Sequence, residues 1–287
     1  MKIDFHIHST ASDGTESPSQ LSRSVGGFAA AALTDHDNCD GAEEFLAGQR
    51  DVSCRLVPGI ELSIEPGEGF DKFHLLGLGI NPKDAGLKEF LRRVLEGRNE
   101  RNRRIIGNFR ALGMEIDENG IAGYRHGEVL ARPHFARWLV DHGYSTDVKN
   151  AFEQYLLPDS PAVTRCYEER FHPSQEEAFA VVHAAGGVCV MAHPKYWKDD
   201  WKKNGCDFFV ARRGLAELKE KGLDAVESLY AANTQQENVE FTRMTAELGL
   251  LISAGSDFHG ANKPAISLGM EVSETVVAPL LERLGGI

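Results

Sequence analysis

Histidines and carboxylates occur in this chain as short motifs separated by apolar segments. His6 and His8 stand two residues apart, and Asp257 and His259 repeat that spacing near the other end of the chain. Because side chains at positions i and i+2 of a strand project to the same face, each pair can bind one metal ion. One such pair is weak evidence, whereas two pairs at strand ends favour a metal site. Imidazoles and carboxylates without thiolates are typical of hydrolytic multi-metal centres.

Five further residues complete the candidate ligand set, namely Asp13, His36, Glu61, His74 and His193. Glu61 lies in an apolar strand sequence, where a carboxylate is costly unless it is paired or coordinating, so we expect it to bridge two ions. His36 follows an apolar strand and is flanked by Asp35 and Asp37, an arrangement typical of a ligand with supporting carboxylates. Asp13 alone is better interpreted as a turn aspartate, and His74 and His193 alone are equally core histidines. Because these three residues occur together with the other motifs, the ligand interpretation is favoured for them.

The apolar segments that carry these residues alternate between strand and helix patterns. Strands are predicted at Lys2–His6, Ala29–Thr34, Leu56–Ile64, Phe73–Ile80, Val188–Ala192, Ala225–Leu229 and Leu250–Ala254. Capping boxes at Ser17 and Ser174 predict helix starts. Repeated strand–helix units predict a parallel, barrel-like α/β fold with its site at the carboxyl ends of the strands.

The strand pattern stops in the middle of the chain, where helices are predicted at Glu100–Leu112, His134–Asp141 and Asp147–Leu156. We expect a barrel from residues 1–97 and 166–287, and a helical insertion from residues 98–165 that caps the site. Arg132 and His134 either begin a solvent-exposed helix or hold a phosphate, for which the arginine fork is suited. The arginine-rich run from Arg92 to Arg104 is mostly a solvated helix face, with one or two members turned towards a pocket.

Charge and composition restrict the class of partner. The chain has 43 acidic and 31 basic residues, a net charge of −12 that disfavours duplex nucleic acid but permits a small phosphorylated substrate beside bound cations. No apolar run approaches the roughly 20 residues that cross a bilayer, so no membrane partner is expected. The five cysteines form no CxxC motif and are interpreted as free thiols of a cytoplasmic protein.

Taken together, these motifs resemble the PHP (polymerase and histidinol phosphatase) family of metal-dependent phosphoesterases. The resemblance rests on His6-Ile7-His8-Ser9, Ser12-Asp13-Gly14, Leu33-Thr34-Asp35-His36-Asp37, Gly59-Ile60-Glu61, His74, Ala192-His193-Pro194 and Gly255-Ser256-Asp257-Phe258-His259. It implies a distorted (β/α)7 barrel and a trinuclear centre of Mn²⁺, Fe²⁺ or Zn²⁺. By position, it gives one ion His6, His8, Glu61 and Asp257, a second Glu61, His74 and His193, and a third Asp13, His36 and His259.

Within that family, the motif Arg132-Pro133-His134-Phe135-Ala136-Arg137 and the Glu96-Gly97-Arg98 helix resemble the small-nucleotide branch. This branch includes 3′,5′-nucleoside bisphosphate phosphatases, enzymes that trim short 5′-phosphorylated RNA, and a cyclic phosphodiesterase. The resemblance therefore implies hydrolysis of the 3′-phosphate of nucleoside 3′,5′-bisphosphates, giving the 5′-monophosphate, and action on short 5′-phosphorylated RNA. The alternatives within the family are a cyclic phosphate phosphodiesterase and a histidinol-phosphatase-like phosphomonoesterase.

The expected mechanism is attack on phosphorus by hydroxide generated at the first two ions, where the pKa of water falls from 15.7 to about 7 in favourable cases. Arg132, His134 and Lys195 are the predicted substrate contacts, and Asp37 and His134 are the candidate proton donors to the leaving oxygen. Three rival classes stay open: an amidohydrolase-like enzyme that cleaves C–N bonds, a metal-binding regulatory module without catalysis, and a nuclease.

Overall fold

The strands and helices of the chain follow the order that the sequence pattern predicts. The computed structural model describes residues 1–124 and 130–285. Its strands are β1 (Lys2–Ile7), β2 (Ala30–Leu33), β3 (Arg55–Ser63), β4 (His74–Leu78), β5 (Val188–Met191), β6 (Ala225–Tyr230), β7 (Leu251–Gly255) and β8 (Met270–Glu271). Its helices are α1 (Pro18–Ser24), α2 (Ala42–Ala47), α3 (Ala85–Ala111), α4 (Glu118–Ala122), α5 (Arg132–Asp141), α6 (Val148–Ala151), α7 (Gln175–Ala184), α8 (Trp201–Asn204), α9 (Phe208–Lys221), α10 (Gln235–Glu247) and α11 (Glu274–Arg283). Each predicted strand overlaps an observed one.

The strands of the described residues form one sheet in the order β7-β6-β5-β4-β3-β2-β1-β8. Strands β1 to β3 are parallel to one another, as are β5 to β7, but β4 is antiparallel to both of its neighbours. The expectation of an all-parallel sheet was therefore wrong at β4. The connection from Ser63 to His74 is too short to hold the crossover helix that a parallel neighbour requires, so the chain turns back on itself.

The sheet closes on itself beside the first strand. The backbone N–H of Asp257, just past β7, donates to His6 O at 2.9 Å, and His8 N donates to Phe258 O at 2.9 Å. These bonds join the first long strand to the last and confirm the distorted barrel that the resemblance implied. They also bring the two ends of the sequence together, so that residues some 250 positions apart become neighbours.

The helices around the barrel begin as their capping residues predict. Ser17 Oγ accepts from Gln20 N at 3.2 Å at the start of α1, and Ser174 Oγ accepts from Glu177 N at 3.2 Å at the start of α7. Inside, apolar residues of β1 to β7 pack with Val277, Leu280 and Leu281 of α11. No described helix combines the length and the apolar character needed to cross a membrane.

The chain divides into two compact units, Met1–Leu91 with Pro173–Ile287 and Arg92–His172. The second unit has its own apolar core, around Phe109, Phe135 and Trp138. It is longer at both ends than the predicted insertion of residues 98–165. The extra residues belong to it because Phe171 packs against α3 at Gly97, where an added Cβ would lie 2.6 Å from Phe171 Cβ. Its position as a cap stays a prediction.

Candidate metal centre

The predicted ligands are delivered by strand ends of the barrel unit. His36, His193 and Asp257 follow the carboxyl ends of β2, β5 and β7, which lie at the same edge of a barrel. His74 begins β4, and because β4 is antiparallel, its first residue pairs with Ser63 at the carboxyl end of β3. The reversed strand thus supplies a histidine from its amino end to the same edge. The structure brings together all nine predicted ligands: His6, His8, Asp13, His36, Glu61, His74, His193, Asp257 and His259.

Glu61 is the residue that joins these side chains. Its carboxylate is fully buried and its two oxygens face different histidines. Oε2 lies 3.2 Å from Nε2 of His6 and 3.2 Å from Nε2 of His8. Oε1 lies 2.8 Å from His74 Nδ1 and 3.0 Å from His193 Nε2. This arrangement would let one carboxylate serve two cation positions, and the bridging role of Glu61 stays a prediction.

Two aspartates complete groups of donor atoms on either side of His8. Asp257 Oδ1 lies 3.7 Å from His6 Nε2 and 3.4 Å from His8 Nε2. Asp13 Oδ1 lies 3.3 Å from His259 Nε2, and its Oδ2 lies 3.9 Å from His36 Nε2. Separations above 3 Å between donor atoms are the spacing expected around a shared ion, because metal–nitrogen and metal–oxygen bonds are about 2.0–2.2 Å long.

Several buried polar atoms in this cluster have no hydrogen-bond partner, although buried polar groups rarely lack one. They are His6 Nε2, both ring nitrogens of His8, His36 Nδ1 and Glu61 Oε2. Glu61 Oε2 lies 2.9 Å from His36 Nδ1, yet the pair does not meet the angles of a hydrogen bond. Buried nitrogen and oxygen atoms that converge without satisfying one another by hydrogen bonds fit bound cations.

The protonation states of His8 and Glu61 agree with this interpretation. Burial alone would lower the pKa of His6 and His36, but Glu227 and Glu61 raise the pKa of His6 well above its usual value, and Glu61 and Asp13 raise that of His36 to about 9, so a bound cation would displace a proton from each of these two rings. Burial, together with repulsion from His259 and His36, lowers the pKa of His8 to about 4, so its ring is neutral at pH 7 and offers a lone pair. Burial alone would raise the pKa of Glu61, but His36, His6 and His74 hold it well below its usual range. Neutral imidazoles and ionised carboxylates are the forms that bind divalent ions. The residues present therefore fit a metal centre.

Glu227 supports the centre and was missed in the sequence. It is fully buried on β6, and its Oε1 lies 3.0 Å from His6 Nδ1 while Oε2 accepts from the backbone N–H of His193 at 2.7 Å. A proton on His6 Nδ1 leaves the Nε2 lone pair free to coordinate. Gly255 makes room, since an added Cβ would overlap Glu227 Oε1 and His6 Cβ. The signal was available: a carboxylate within the apolar strand Ala225–Leu229 is as costly as Glu61 in its own strand.

Two further buried aspartates hold the loops that carry ligands. Asp4 accepts from Ser256 N at 2.9 Å, Ser256 Oγ at 2.6 Å and Gly269 N at 2.8 Å, which fixes the turn before Asp257. Asp35 accepts from Ser9 N at 2.8 Å and Ser9 Oγ at 2.7 Å, which fixes the chain just after His8. Asp35 thus supports the chain beside His8, whereas the support of His36 expected from the sequence stays a prediction.

The outer oxygen of Asp257 is held by two residues that the sequence analysis did not single out. Tyr230 Oη donates to Asp257 Oδ2 at 3.0 Å, and Lys263 Nζ donates to the same atom at 2.6 Å. Oδ1 is thereby directed to His6 and His8. The backbone of Asp257 has a φ of 60°, a left-handed conformation that costs a non-glycine residue energy and that these contacts help to maintain.

Lys195 and Asp37 make structural contacts. Lys195 Nζ donates to Ala232 O at 2.7 Å and to Glu237 Oε2 at 3.0 Å, which links the loop after β5 to α10, and the role of Lys195 as a phosphate contact stays a prediction. Asp37 Oδ1 accepts from Ser63 N at 2.9 Å, and its own N–H donates to Glu61 O at 2.8 Å. These bonds tie Asp37 to the backbone of β3.

Arg132 and His134 lie in the second unit, at the start of α5. The guanidinium of Arg132 lies over the ring of Tyr167, with 5.4 Å between Cζ and the ring centroid. His134 is buried and its Nδ1 accepts from Ala131 N at 2.9 Å. If the His134 ring is neutral, its proton is therefore on Nε2, which can donate a hydrogen bond.

Comparison with known proteins adds an independent line of evidence. The family model of the PHP domain matches residues 4–128 of this chain. A 3′,5′-nucleoside bisphosphate phosphatase of Chromobacterium violaceum is 31% identical over 277 residues, covering 93% of this chain and 90% of the relative. A 5′-3′ exoribonuclease of Haemophilus influenzae is 30% identical over 261 residues, covering 90% of each. Among solved structures, an amidohydrolase from Chromobacterium violaceum with bound sulfate and no metal superimposes with a TM-score of 0.82 at 28% identity, covering 99% of this chain and 97% of the other.

Proposed function

Because this chain belongs to the PHP family of metal-dependent phosphoesterases, we propose that it hydrolyses a phosphate ester of a small nucleotide. The favoured reaction removes the 3′-phosphate of nucleoside 3′,5′-bisphosphates and leaves the 5′-monophosphate. The observation that carries this proposal is the convergence of five histidines on the buried carboxylate of Glu61, within a cluster of nine imidazole and carboxylate side chains that includes buried polar atoms without a hydrogen-bond partner. The 31% identity to a phosphatase of this specificity supports the substrate.

The proposed centre holds three divalent ions, with manganese as the first choice and iron or zinc as alternatives. His6, His8, Glu61 and Asp257 would hold one ion. Glu61, His74 and His193 would hold a second, and Asp13, His36 and His259 a third. When bound, such ions lower the pKa of water towards neutrality and draw charge from phosphate oxygens.

The protein's own residues fix the geometry on which that chemistry depends. Glu227 sets the tautomer of His6, and Tyr230 and Lys263 direct the inner oxygen of Asp257. Because these contacts exist before substrate binds, the donors need little reorganisation during the reaction. The positive charge of the ions also lets an acidic protein accept an anionic substrate.

A cluster of arginines in the second unit supports the proposed phosphate contact. Arg98 and Arg101 are 6% and 4% exposed, and Arg101 Nη2 has no hydrogen-bond partner. Burial and repulsion by Arg98, Arg170 and Arg132 lower the pKa of Arg101 to about 8. A guanidinium stays protonated in proteins, so this cluster carries positive charge that a phosphate would neutralise. We assign Arg132 and His134 to the same phosphate contact, and keep Lys195 as a further candidate, which would exchange its bonds to Ala232 and Glu237 for a phosphate.

A second activity, on short 5′-phosphorylated RNA, is favoured by the 30% identity to the Haemophilus influenzae exoribonuclease. Both substrates end in a 5′-phosphate, which the arginine cluster would bind. The net charge of −12 argues for short strands rather than duplexes. The five cysteines are unpaired, which supports a cytoplasmic site of action.

The test is a substrate panel with Mn²⁺ supplied: nucleoside 3′,5′-bisphosphates, short 5′-phosphorylated RNA, cyclic phosphates, histidinol phosphate and an amide series. The proposal expects release of the 3′-phosphate from the bisphosphates, with a kcat/KM above that of every other compound. His8→Ala and Asp257→Ala should abolish turnover while circular dichroism shows an intact fold. Turnover unchanged in either folded variant, or hydrolysis of amides alone, would overturn it.

A further inference from the structure

A second group of potential metal ligands lies in the barrel unit, away from the centre described above. It consists of His183 in the last turn of α7, Cys189 in β5 and Asp224 immediately before β6. Cys189 and Asp224 lie at the amino ends of their strands, whereas His193 follows the carboxyl end of β5. The group is therefore at the opposite strand ends and is independent of the proposed function.

The donor atoms of these three residues converge. One ligand atom from each lies within 4.8 Å of the other two. Asp224 Oδ2 is 2.7 Å from His183 Nε2 and accepts from the backbone N–H of Cys189 at 2.8 Å. The Cys189 thiol is fully buried, and its one hydrogen bond is a weak one to Phe179 O at 3.8 Å. The side chain of His183 is 38% exposed, so a cation can reach the group from solvent.

We propose that His183, Cys189 and Asp224 form a thiolate-containing site for a zinc-class divalent cation. Cysteine, histidine and aspartate are all ligands that zinc accepts, and a water molecule would complete a tetrahedron. Binding releases the thiol proton of Cys189 to solvent, and the ring proton of neutral His183 moves from Nε2, where it faces Asp224, to Nδ1, which frees the Nε2 lone pair. The cation then forms bonds to sulfur, nitrogen and oxygen. No redox change or further reactant is involved.

Two features around the group favour a cation. The carboxyl end of α7 carries the partial negative charge of its unpaired carbonyls, and His183 lies in that turn. Gly222 has a φ of 117°, and an added Cβ there would lie 3.3 Å from His183 Cε1, so glycine leaves the ring its space. Burial and the neighbouring Asp224 raise the pKa of the Cys189 thiol, which makes it inert until a metal displaces its proton.

A bound ion would join α7, β5 and β6 and stabilise the barrel without touching the hydrolytic centre. The competing explanation is a plain ion pair between His183 and Asp224, with Cys189 as an ordinary core residue. The two explanations differ in whether sulfur binds metal, and this difference can be measured directly. None of the nine ligands of the proposed hydrolytic centre contains sulfur, so a sulfur–metal signal reports on this site.

For the test, the protein is reduced with a phosphine and its hydrolytic centre is saturated with Mn²⁺. Co²⁺ is then titrated into this sample. The site predicts a thiolate-to-cobalt absorption band that saturates at one equivalent. Cys189→Ser should abolish the band, while Cys54→Ser, at another buried cysteine, should retain it. His183→Ala, at a partly exposed position that does not threaten folding, should weaken Co²⁺ binding by at least about tenfold.

A thermal measurement completes the design. Zn²⁺ added to the Mn²⁺-saturated protein should raise the Tm of the wild type and of Cys54→Ser, and leave the Tm of His183→Ala unchanged. A missing charge-transfer band, or a band that persists in folded Cys189→Ser, would overturn the proposal. Loss of phosphate-ester hydrolysis in the substrate panel would leave this result unaffected, so the two proposals fail separately.

Discussion

Replacing Glu227 by glutamine tests how the protein prepares His6 for a metal ion. Each oxygen of the Glu227 carboxylate receives one N–H: Oε1 from His6 Nδ1 at 3.0 Å and Oε2 from the His193 backbone at 2.7 Å. Glutamine has only one acceptor oxygen, so one of these donors must face an NH₂ group. If the NH₂ group of the glutamine faces His6, it donates to Nδ1, and the ring proton moves to Nε2, where it blocks the coordinating lone pair. If the NH₂ group faces His193, two donors oppose each other in a fully buried position.

The expected cost in ion affinity follows from the role of such supporting contacts. Removal of a hydrogen bond to a ligating histidine weakens metal binding about 10–100-fold. That loss corresponds to about 1.4–2.8 kcal/mol, at about 1.4 kcal/mol per tenfold change. We therefore expect Glu227→Gln to bind Mn²⁺ about 10–100 times more weakly than the wild type.

Competition with a fluorescent chelator measures this affinity, and nitrogen chemical shifts of His6 in the protein loaded with diamagnetic Zn²⁺ report which ring nitrogen carries the proton. Glu240→Gln is the matched control, because Glu240 pairs with Arg243 on the surface of α10 and should leave Mn²⁺ affinity unchanged. Wild-type affinity in a folded Glu227→Gln variant, with the proton still on Nδ1 of His6, would refute the reasoning.

Three other substitutions follow from the same contacts. Gly255→Ala forces a Cβ against Glu227 and His6, so we expect a loss of about 1–3 kcal/mol in the free energy of unfolding and weaker Mn²⁺ binding. Gly27→Ala is the control because no atom lies within 4 Å of an added Cβ there, and equal stability of the two variants would contradict the packing argument. Arg101→Met removes a buried, uncompensated charge, so the free energy of unfolding of the metal-bound protein should rise by about 1–4 kcal/mol in the absence of phosphate. Added phosphate should raise the Tm of the wild type but not that of Arg101→Met, and an equal Tm increase in both would count against phosphate binding by the arginine cluster. Lys195→Met breaks the bonds to Ala232 and Glu237 and should lower the free energy of unfolding by about 1.5–3 kcal/mol. The KM for substrate should stay unchanged, whereas a raised KM would indicate that Lys195 contacts the substrate.

The candidate ligands could be found in the sequence because their local signals survive folding. The spacing of His6 and His8 on a strand fixes their common direction, and the apolar residues around Glu61 mark a carboxylate that needs partners. The barrel was predictable for a similar reason, since alternating strand and helix patterns recur along most of the chain. Both inferences rest on contacts close in sequence or on the geometry of single strands.

The features that the sequence did not reveal depend on contacts between distant segments. The direction of β4 depends on the length of one connection, and the burial of Arg101 depends on which face of α3 packs inward. The bond from Lys195 to Glu237 could not be foreseen because the two residues lie 42 positions apart. Glu227 differs from these, because its apolar strand gave the same signal as that of Glu61.

Anomalous diffraction from crystals grown with Mn²⁺ tests the central claim most directly. The account predicts manganese peaks within bonding distance of both oxygens of Glu61, one shared with His6 and His8 and one shared with His74 and His193, and a third peak beside Asp13 and His259. A map of fully loaded crystals with no peak at either oxygen of Glu61 would contradict it.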